Sequence, residues 1–418
     1  METASSSVLA TSSPLSPHAR RVALAAVTAL FFIWGFLTCL NDILVPHLKA
    51  IFSLNYVEAS LIQFCFFGAY FIMSLPSGMV VARWGYRFGM VAGLVTIGLG
   101  AWLFYPAATL PSYPFFLAAL FVLATGITLL QVSANPYIST LGNPATASSR
   151  LNLAQAFNSL GTTLAPHIGG WLILSGVAVA STDKLAQALS VRLPYLGLGL
   201  IAFLMAGAMR MLRLPELAAV EEDAGHHTPL SEVLKIRHTA LAIVAIFLYV
   251  GAEVAIGSYL INYLGLPRIA GLLPAVAAIY VSYYWGGAML GRFIGAALLQ
   301  KLPPHLVLGF NAIVAMVLCL GGVTLSGHLA FIAVIAIGFF NSIMFPIIFT
   351  LGIAQLGHRT SQGSSLLIMA IVGGAIIPVF MGQTADMFGL QNALLIPACC
   401  YLYIVCYAFF GSQPTEKE

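Results

Sequence analysis

Long apolar runs follow one another along almost the whole chain, parted only by short breaks rich in charge, proline and glycine. The breaks divide it into twelve stretches, at about 22–51, 57–82, 87–107, 113–141, 150–176, 191–214, 238–266, 272–300, 305–326, 328–356, 360–388 and 390–412. Each is long enough to cross a bilayer as a helix, which takes about 20 apolar residues. Backbone N–H and C=O groups cannot stay unpaired in hydrocarbon, so runs this apolar are expected as helices. A β-barrel is not expected, because its strands alternate polar and apolar residues and these runs do not. Composition agrees: of 418 residues 60% are hydrophobic and 7% charged, against about 25% charged in a soluble domain. That excludes an ordinary soluble enzyme, a nucleic-acid binder and a disordered chain. The fold class expected is an all-α membrane protein with twelve transmembrane helices.

The first run follows Arg20 and Arg21 and continues past Leu40 without a small-residue cleavage site. It therefore reads as a retained first span and not as a signal peptide. Residues 1–20 are Ser/Thr/Pro-rich and read as a disordered extension. With the N-terminus in the cytoplasm, thirteen Lys and Arg fall inside, from Arg20 through Arg83, Arg87, Arg150 and Arg292 to Lys417. Only Lys49, Lys184, Arg192 and Arg268 fall outside, a strong positive-inside bias. The longest polar stretch, 215–237, holds Glu216, Glu221, Glu222, Asp223, Glu232 and the pair His226–His227, and reads as a solvated linker. It separates an N-terminal bundle, 21–214, from a C-terminal bundle, 238–412, with a tail at 413–418. The six cysteines lie in apolar runs and fit no zinc or disulfide framework. No metal or cofactor is expected, and the net charge of +4 leaves no nucleic-acid footprint.

The two halves repeat each other. Pro136 is followed four residues later by Thr140-Leu141-Gly142, and Pro346 at the same spacing by Thr350-Leu351-Gly352. Gly161, Pro166 and Gly170 recur as Gly373, Pro378 and Gly382, so the offsets are 210 and 212 residues. A direct repeat in parallel order implies two pseudo-symmetric six-helix bundles related by an axis along the membrane normal.

Most of the 13 Asp and Glu lie in loops or tails; Asp42, Glu253 and Asp386 do not. A carboxylate at the centre of a span costs about 2.5–3.5 kcal/mol on insertion scales, so such a group turns toward the protein interior or a watery cavity. Trp34, Thr38, Asn41, Asp42 and Val45 share one helical face, which carries a ring, a hydroxyl, an amide and an acid. That face reads as a cavity lining, with Asp42 as proton carrier or substrate ligand; a structural carboxylate is the alternative. Thr128, Gln131 and Asn135 form a polar stripe on the fourth span. Asn152, Gln155, Asn158, Ser159 and Thr162 form another on the fifth, where Asn152 lies near the membrane edge. Amides offer both donors and acceptors, which suits neighbouring sugar hydroxyls. Helix–helix hydrogen bonding would explain any one of them; two adjacent stripes point to a shared polar cavity. Glu253, one turn after Tyr249 and with no basic residue in its own span, reads as a substrate ligand or second titrating site. Asn341 is a further amide beside aromatics, and Asp386 reads as an end or packing residue. No metal-ligand cluster, phosphate-cradling loop or nucleophile elbow is present, so catalysis is not expected.

The stretches LNDILVPHL, SANPYISTLG, RLNLAQAFNSLG, YVGAEVAIGSYL and FNSIMFPIIFTLGI resemble the fucose–galactose–glucose proton symporter family of the major facilitator superfamily. The resemblance implies the major facilitator fold and proton-driven uptake of a monosaccharide across the bacterial inner membrane, with both termini cytoplasmic. In the family's fucose permease, the acid matching Asp42 is tied to proton coupling, and the LNLAQ amide and a tryptophan match Gln155 and Trp34. A protonatable fourth-span Glu of that permease is Gln131 here, which argues against fucose and against a copied two-acid relay. Glu253 stands where that permease has Gln, as in glucose/galactose-type members. The loop motif after the second span keeps Gly78, Arg83, Gly85 and Arg87, but Ala82 replaces the usual Asp. The inner gate is therefore expected to use other contacts.

These residues outline an expected mechanism. A hexose, glucose or galactose, binds near the midplane to Thr38, Asn41, Gln131, Asn135, Gln155, Asn158, Glu253 and Asn341, with Trp34 over its apolar face. Asp42, with Glu253 as a second site, carries the proton. The partners expected are the monosaccharide, a proton and the lipid bilayer, with the protein a monomer and no nucleic acid. N-acetylglucosamine or L-fucose as the sugar, Na⁺ coupling or facilitated diffusion, and a sugar sensor that moves nothing are the alternatives.

Overall fold

The computed structural model describes residues 17–52, 56–109, 112–169, 192–212, 214–215 and 230–414, without the side chains of 17, 40–51, 56–60, 166–169 and 275. The side chains of Asn41 and Asp42, most of the N-terminal extension, and residues 216–229 of the linker, with His226 and His227, lie outside the described residues.

Among the described residues the chain is helical, in the order α1 (Pro17–Phe52), α2 (Tyr56–Thr109), α3 (Tyr113–Thr140), α4 (Ala147–Gly169) and α5 (Arg192–Met211), then α6 (Arg237–Gly265), α7 (Pro274–Leu298) and α8 (Pro304–Thr324). There follow α9 (Gly327–Asn341), α10 (Met344–Gly352), α11 (Thr360–Met369), α12 (Gly373–Phe388) and α13 (Leu395–Cys406). Nine helical stretches among the described residues are long and apolar enough to cross a membrane. One of them, Leu61–Thr109, runs 49 residues, twice what one crossing needs. It holds the second and third predicted spans, parted at Gly85 (φ 80°, ψ 167°), a backbone conformation that glycine adopts without strain. With α4 and α7 the count reaches the twelve predicted spans. α4 carries Asn152, Gln155, Asn158 and Ser159, and α7 carries Tyr284 and Arg292, all of which enter the site described below.

The sequence repeat becomes one hydrogen bond made twice. Thr140 donates its hydroxyl to the Pro136 carbonyl at 2.9 Å, and Thr350 does the same to Pro346 at 2.9 Å. Very close helix crossings occur in both bundles, and the tightest backbone approach made by a described glycine of α4 and of α12 matches across the repeat. A Cβ on Gly161 of α4 would lie 2.2 Å from the Phe32 carbonyl oxygen of α1, and one on Gly373 of α12 would lie 2.0 Å from that of Phe247 in α6. Small residues let backbones approach where lipid gives helices no hydrophobic reason to associate. Gly161→Leu and Gly373→Leu are each expected to destabilise by about 1–3 kcal/mol or more, because the packed backbone cannot yield. Thermal unfolding in detergent checks this, with Gly68→Leu as the silent control, since nothing lies within 4 Å of that position.

Candidate functional site

In the N-terminal bundle, α3 places Gln131 in the interior, 3% exposed. Its Nε2 donates to the Tyr70 hydroxyl of α2 at 2.6 Å, and the Trp34 indole of α1 reaches the same hydroxyl. The amide oxygen of Gln131 is buried without a partner, as are both polar atoms of Asn135 one turn later. Asn158 of α4 donates to the Phe31 carbonyl at 3.0 Å, beside Trp34, whose ring packs on Phe31 at 5.0 Å. Thr38 turns back on its own helix, donating to the Trp34 carbonyl at 3.0 Å.

The C-terminal bundle repeats the arrangement. Asn341 stands 210 residues beyond Gln131, the offset of the proline repeat. Its Nδ2 donates to the Tyr284 hydroxyl at 2.8 Å and to that of Tyr401 at 3.3 Å, and its oxygen too is buried without a partner. A buried acceptor with no partner costs about 1–3 kcal/mol. Two such oxygens at matching positions are acceptors available to a hydroxyl. Glu253 of α6 accepts from the Tyr249 hydroxyl at 2.8 Å and pairs with Arg292 of α7 at 3.7 Å, each side chain 12% exposed.

Arg292 adds to the reading of the charges. Expected among the basic residues of the inner side, it lies within α7 and supplies Glu253 with the cation missing from its own span. It also ties the halves together. Its Nη1 donates to the Ser159 hydroxyl and, at 3.4 Å, to the Gln155 carbonyl, both on α4. Its Nε donates to the Ser342 carbonyl at 3.1 Å. Proline explains why that carbonyl is free. Pro346 has no N–H to return to residue 342, and Pro136 likewise frees Val132, whose carbonyl accepts from Ser364 of the other half at 3.1 Å.

The described hydrogen bonds between the halves gather toward one face. Ser148 meets Thr350 at 2.6 Å, Ser149 donates to Ala296 at 2.6 Å, and Asn152 donates to the Arg292 carbonyl at 2.8 Å. All lie near the helix ends that carry Arg150, Lys301 and Arg359, hereafter the basic face. Asn152, the weakest member of its stripe by sequence, proves to be a cross-half contact. In the loop motif, Gly78 belongs to the same seam, since a Cβ there would strike Ser365 of α11. Arg83 lies over the Trp84 ring, and Arg87 donates to the Arg210 carbonyl within its own bundle. Sequence reasoning missed Tyr70, Tyr284 and Tyr401, because a tyrosine inside an apolar run reads as apolar until its hydroxyl has a visible partner.

Two like helical bundles that meet at one face, with buried amides in each and a half-buried ion pair beside the seam, have the architecture of a membrane carrier of the two-bundle class. Residues 22–378 match the Major Facilitator Superfamily. The chain belongs to that superfamily and is a multi-pass membrane transporter, not an enzyme. It is 51% identical over 391 residues to the glucose/galactose transporter of Brucella abortus, covering 94% of each chain. It is 47% identical over 406 residues to a putative glucose/galactose transporter of Helicobacter pylori, covering 95% of this chain and 98% of that one. The crystal structure of the transporter FucP in the outward conformation superposes with a TM-score of 0.86 at 37% identity, covering 94% of this chain and 100% of that one; FucP is the Escherichia coli fucose:proton symporter.

Proposed function

We propose that the protein imports a hexose, glucose or galactose, together with a proton across the bacterial inner membrane, with both termini and the basic face in the cytoplasm. The observation that carries this is the pair of amide–tyrosine units, Gln131 with Tyr70 and Asn341 with Tyr284, one in each bundle and each with a free amide oxygen. A polyhydroxylated ring bound between them would be held by both halves at once, as alternating access requires. The names of the Brucella and Helicobacter relatives support the sugar, and the name of FucP supports the proton. In this reading Gln131, Asn135, Gln155, Asn158, Glu253 and Asn341, with Thr38 and Asn41 of the first span, bind the sugar. Trp34 covers its apolar face. Asp42 takes a proton from the outer side, and neutralising it lowers the cost of passing through a drier, occluded state. Gly78 and its cross-half neighbours form the inner gate.

Asn341→Ala is expected to raise the KM for hexose about tenfold, the worth of one buried hydrogen bond. Initial uptake rates against sugar concentration check it. The function is tested by labelled glucose uptake into proteoliposomes under an imposed pH gradient, with a panel of competing sugars. Competition by galactose supports the reading. Competition by L-fucose or N-acetylglucosamine alone, or uptake that needs Na⁺ and no pH gradient, overturns it.

A further inference from the structure

The half-buried cation Arg292 has each of its guanidinium nitrogens engaged, and the engagements differ in kind. Nη2 faces Glu253 of α6, and Nε holds the carbonyl that Pro346 sets free. Nη1 reaches out of its own bundle to Gln155 and Ser159 of α4. The backbone carbonyl of the same residue receives Asn152, also of α4. One residue therefore joins the α4–α7 seam twice and is itself held by an acid. A guanidinium suits this place because its planar fork keeps several donors in fixed directions and stays charged.

We propose that Arg292 is the positioning residue through which the charge of Glu253 holds the basic face shut. Ionised Glu253 keeps the guanidinium in the seam between α4 and α7. When the carboxylate takes a proton from water on the outer side, the half-buried cation loses its counter-charge. A cation without a partner in a low-dielectric interior is driven toward water, and the basic face, at the end of the same helix, is the near route. Moving there withdraws the donors from Ser159 and Gln155, so the first turns of α4 are released and the halves part. The proton then leaves Glu253 to the water admitted at the basic face, and the returning anion draws Arg292 back. This deepens the proton-coupled reading, resting on it only in taking Glu253 as an acid that changes charge during the cycle.

The ionisable groups around Glu253 among the described side chains are Tyr249 on its own helix and Arg292 and Tyr284 on α7, with Tyr401 of α13 behind them on the far side of Asn341. At their ordinary values none of these changes charge between about pH 5.5 and 8. The test is amide hydrogen exchange of residues 147–160 in the full chain in lipid nanodiscs, at both ends of that range, corrected for intrinsic rates. The expected result is at least about tenfold more protection at the upper pH, since local opening sets exchange, with low protection at both pH values in Glu253→Gln. That variant removes the charge but keeps an acceptor for Tyr249. Pro346→Ala, which returns an N–H to compete for the Ser342 carbonyl, is expected to reduce protection at the upper pH. A pH-independent parent overturns the proposal. So does a pH response that persists in Glu253→Gln, which would belong to Asp42, His238 or His358. No sugar is used, so the outcomes separate: a pH-gated seam in a protein that moves no hexose would sink the transport reading alone, and hexose transport without the gate would sink this one alone.

Discussion

Asp42→Asn is expected to abolish uphill hexose uptake while leaving exchange of labelled for unlabelled sugar within a factor of two or so of the parent. An acid inside a span is retained because its change of charge does work. A proton crossing a potential of 100 mV delivers about 2.3 kcal/mol, which supports an accumulation of about 50-fold. Asn is neutral in both directions: the Glu253 gate still opens and shuts, but nothing ties its proton to the loaded sugar, so the carrier would alternate and equilibrate its sugar. Paired measurements of net uptake and of counterflow in proteoliposomes read the two activities separately. Equal loss of both removes Asp42 from the coupling role and leaves it a structural carboxylate.

The second large effect concerns the seam. Ser148 and Thr350 meet at 2.6 Å across the two bundles, close enough for cysteines in their places to form a disulfide once the chain relaxes slightly. Oxidised Ser148→Cys/Thr350→Cys is expected to lose at least about 95% of its transport, because a covalent tie blocks the domain rotation that alternating access needs. A reductant should restore it. The parent, with its six cysteines, carried through the same oxidation, separates the tie from damage elsewhere. Full transport by a quantitatively cross-linked protein would show that the basic face need not open.

The apolar runs told nearly all of the fold in advance. Each predicted span has its helix, and the 210-residue offset between Pro136 and Pro346 returns as matching threonine hydrogen bonds and as the matched amides Gln131 and Asn341. What the sequence hid was partnership between helices distant in the chain. Arg292 precedes Lys301 by nine residues and so looked like part of a basic helix end; only packing of α7 against α4 and α6 shows it reaching inward. Glu253 has no cation in its own span, a true reading that stopped short, because its counter-ion comes from the next helix. The Ser342 carbonyl became an acceptor through a proline four residues away, a local rule visible in sequence, but nothing in sequence says which side chain takes it. The part of Ser148 and Ser149 in closing one face needs both bundles in place.

Coupling of hexose to proton movement is the claim on which the rest depends, and the pH outside lightly buffered, right-side-out proteoliposomes reports it directly. Adding glucose or galactose should make the medium more alkaline as protons enter with the sugar, and a protonophore should erase the change. Uptake of labelled glucose at an undiminished rate with no shift in external pH would contradict the account.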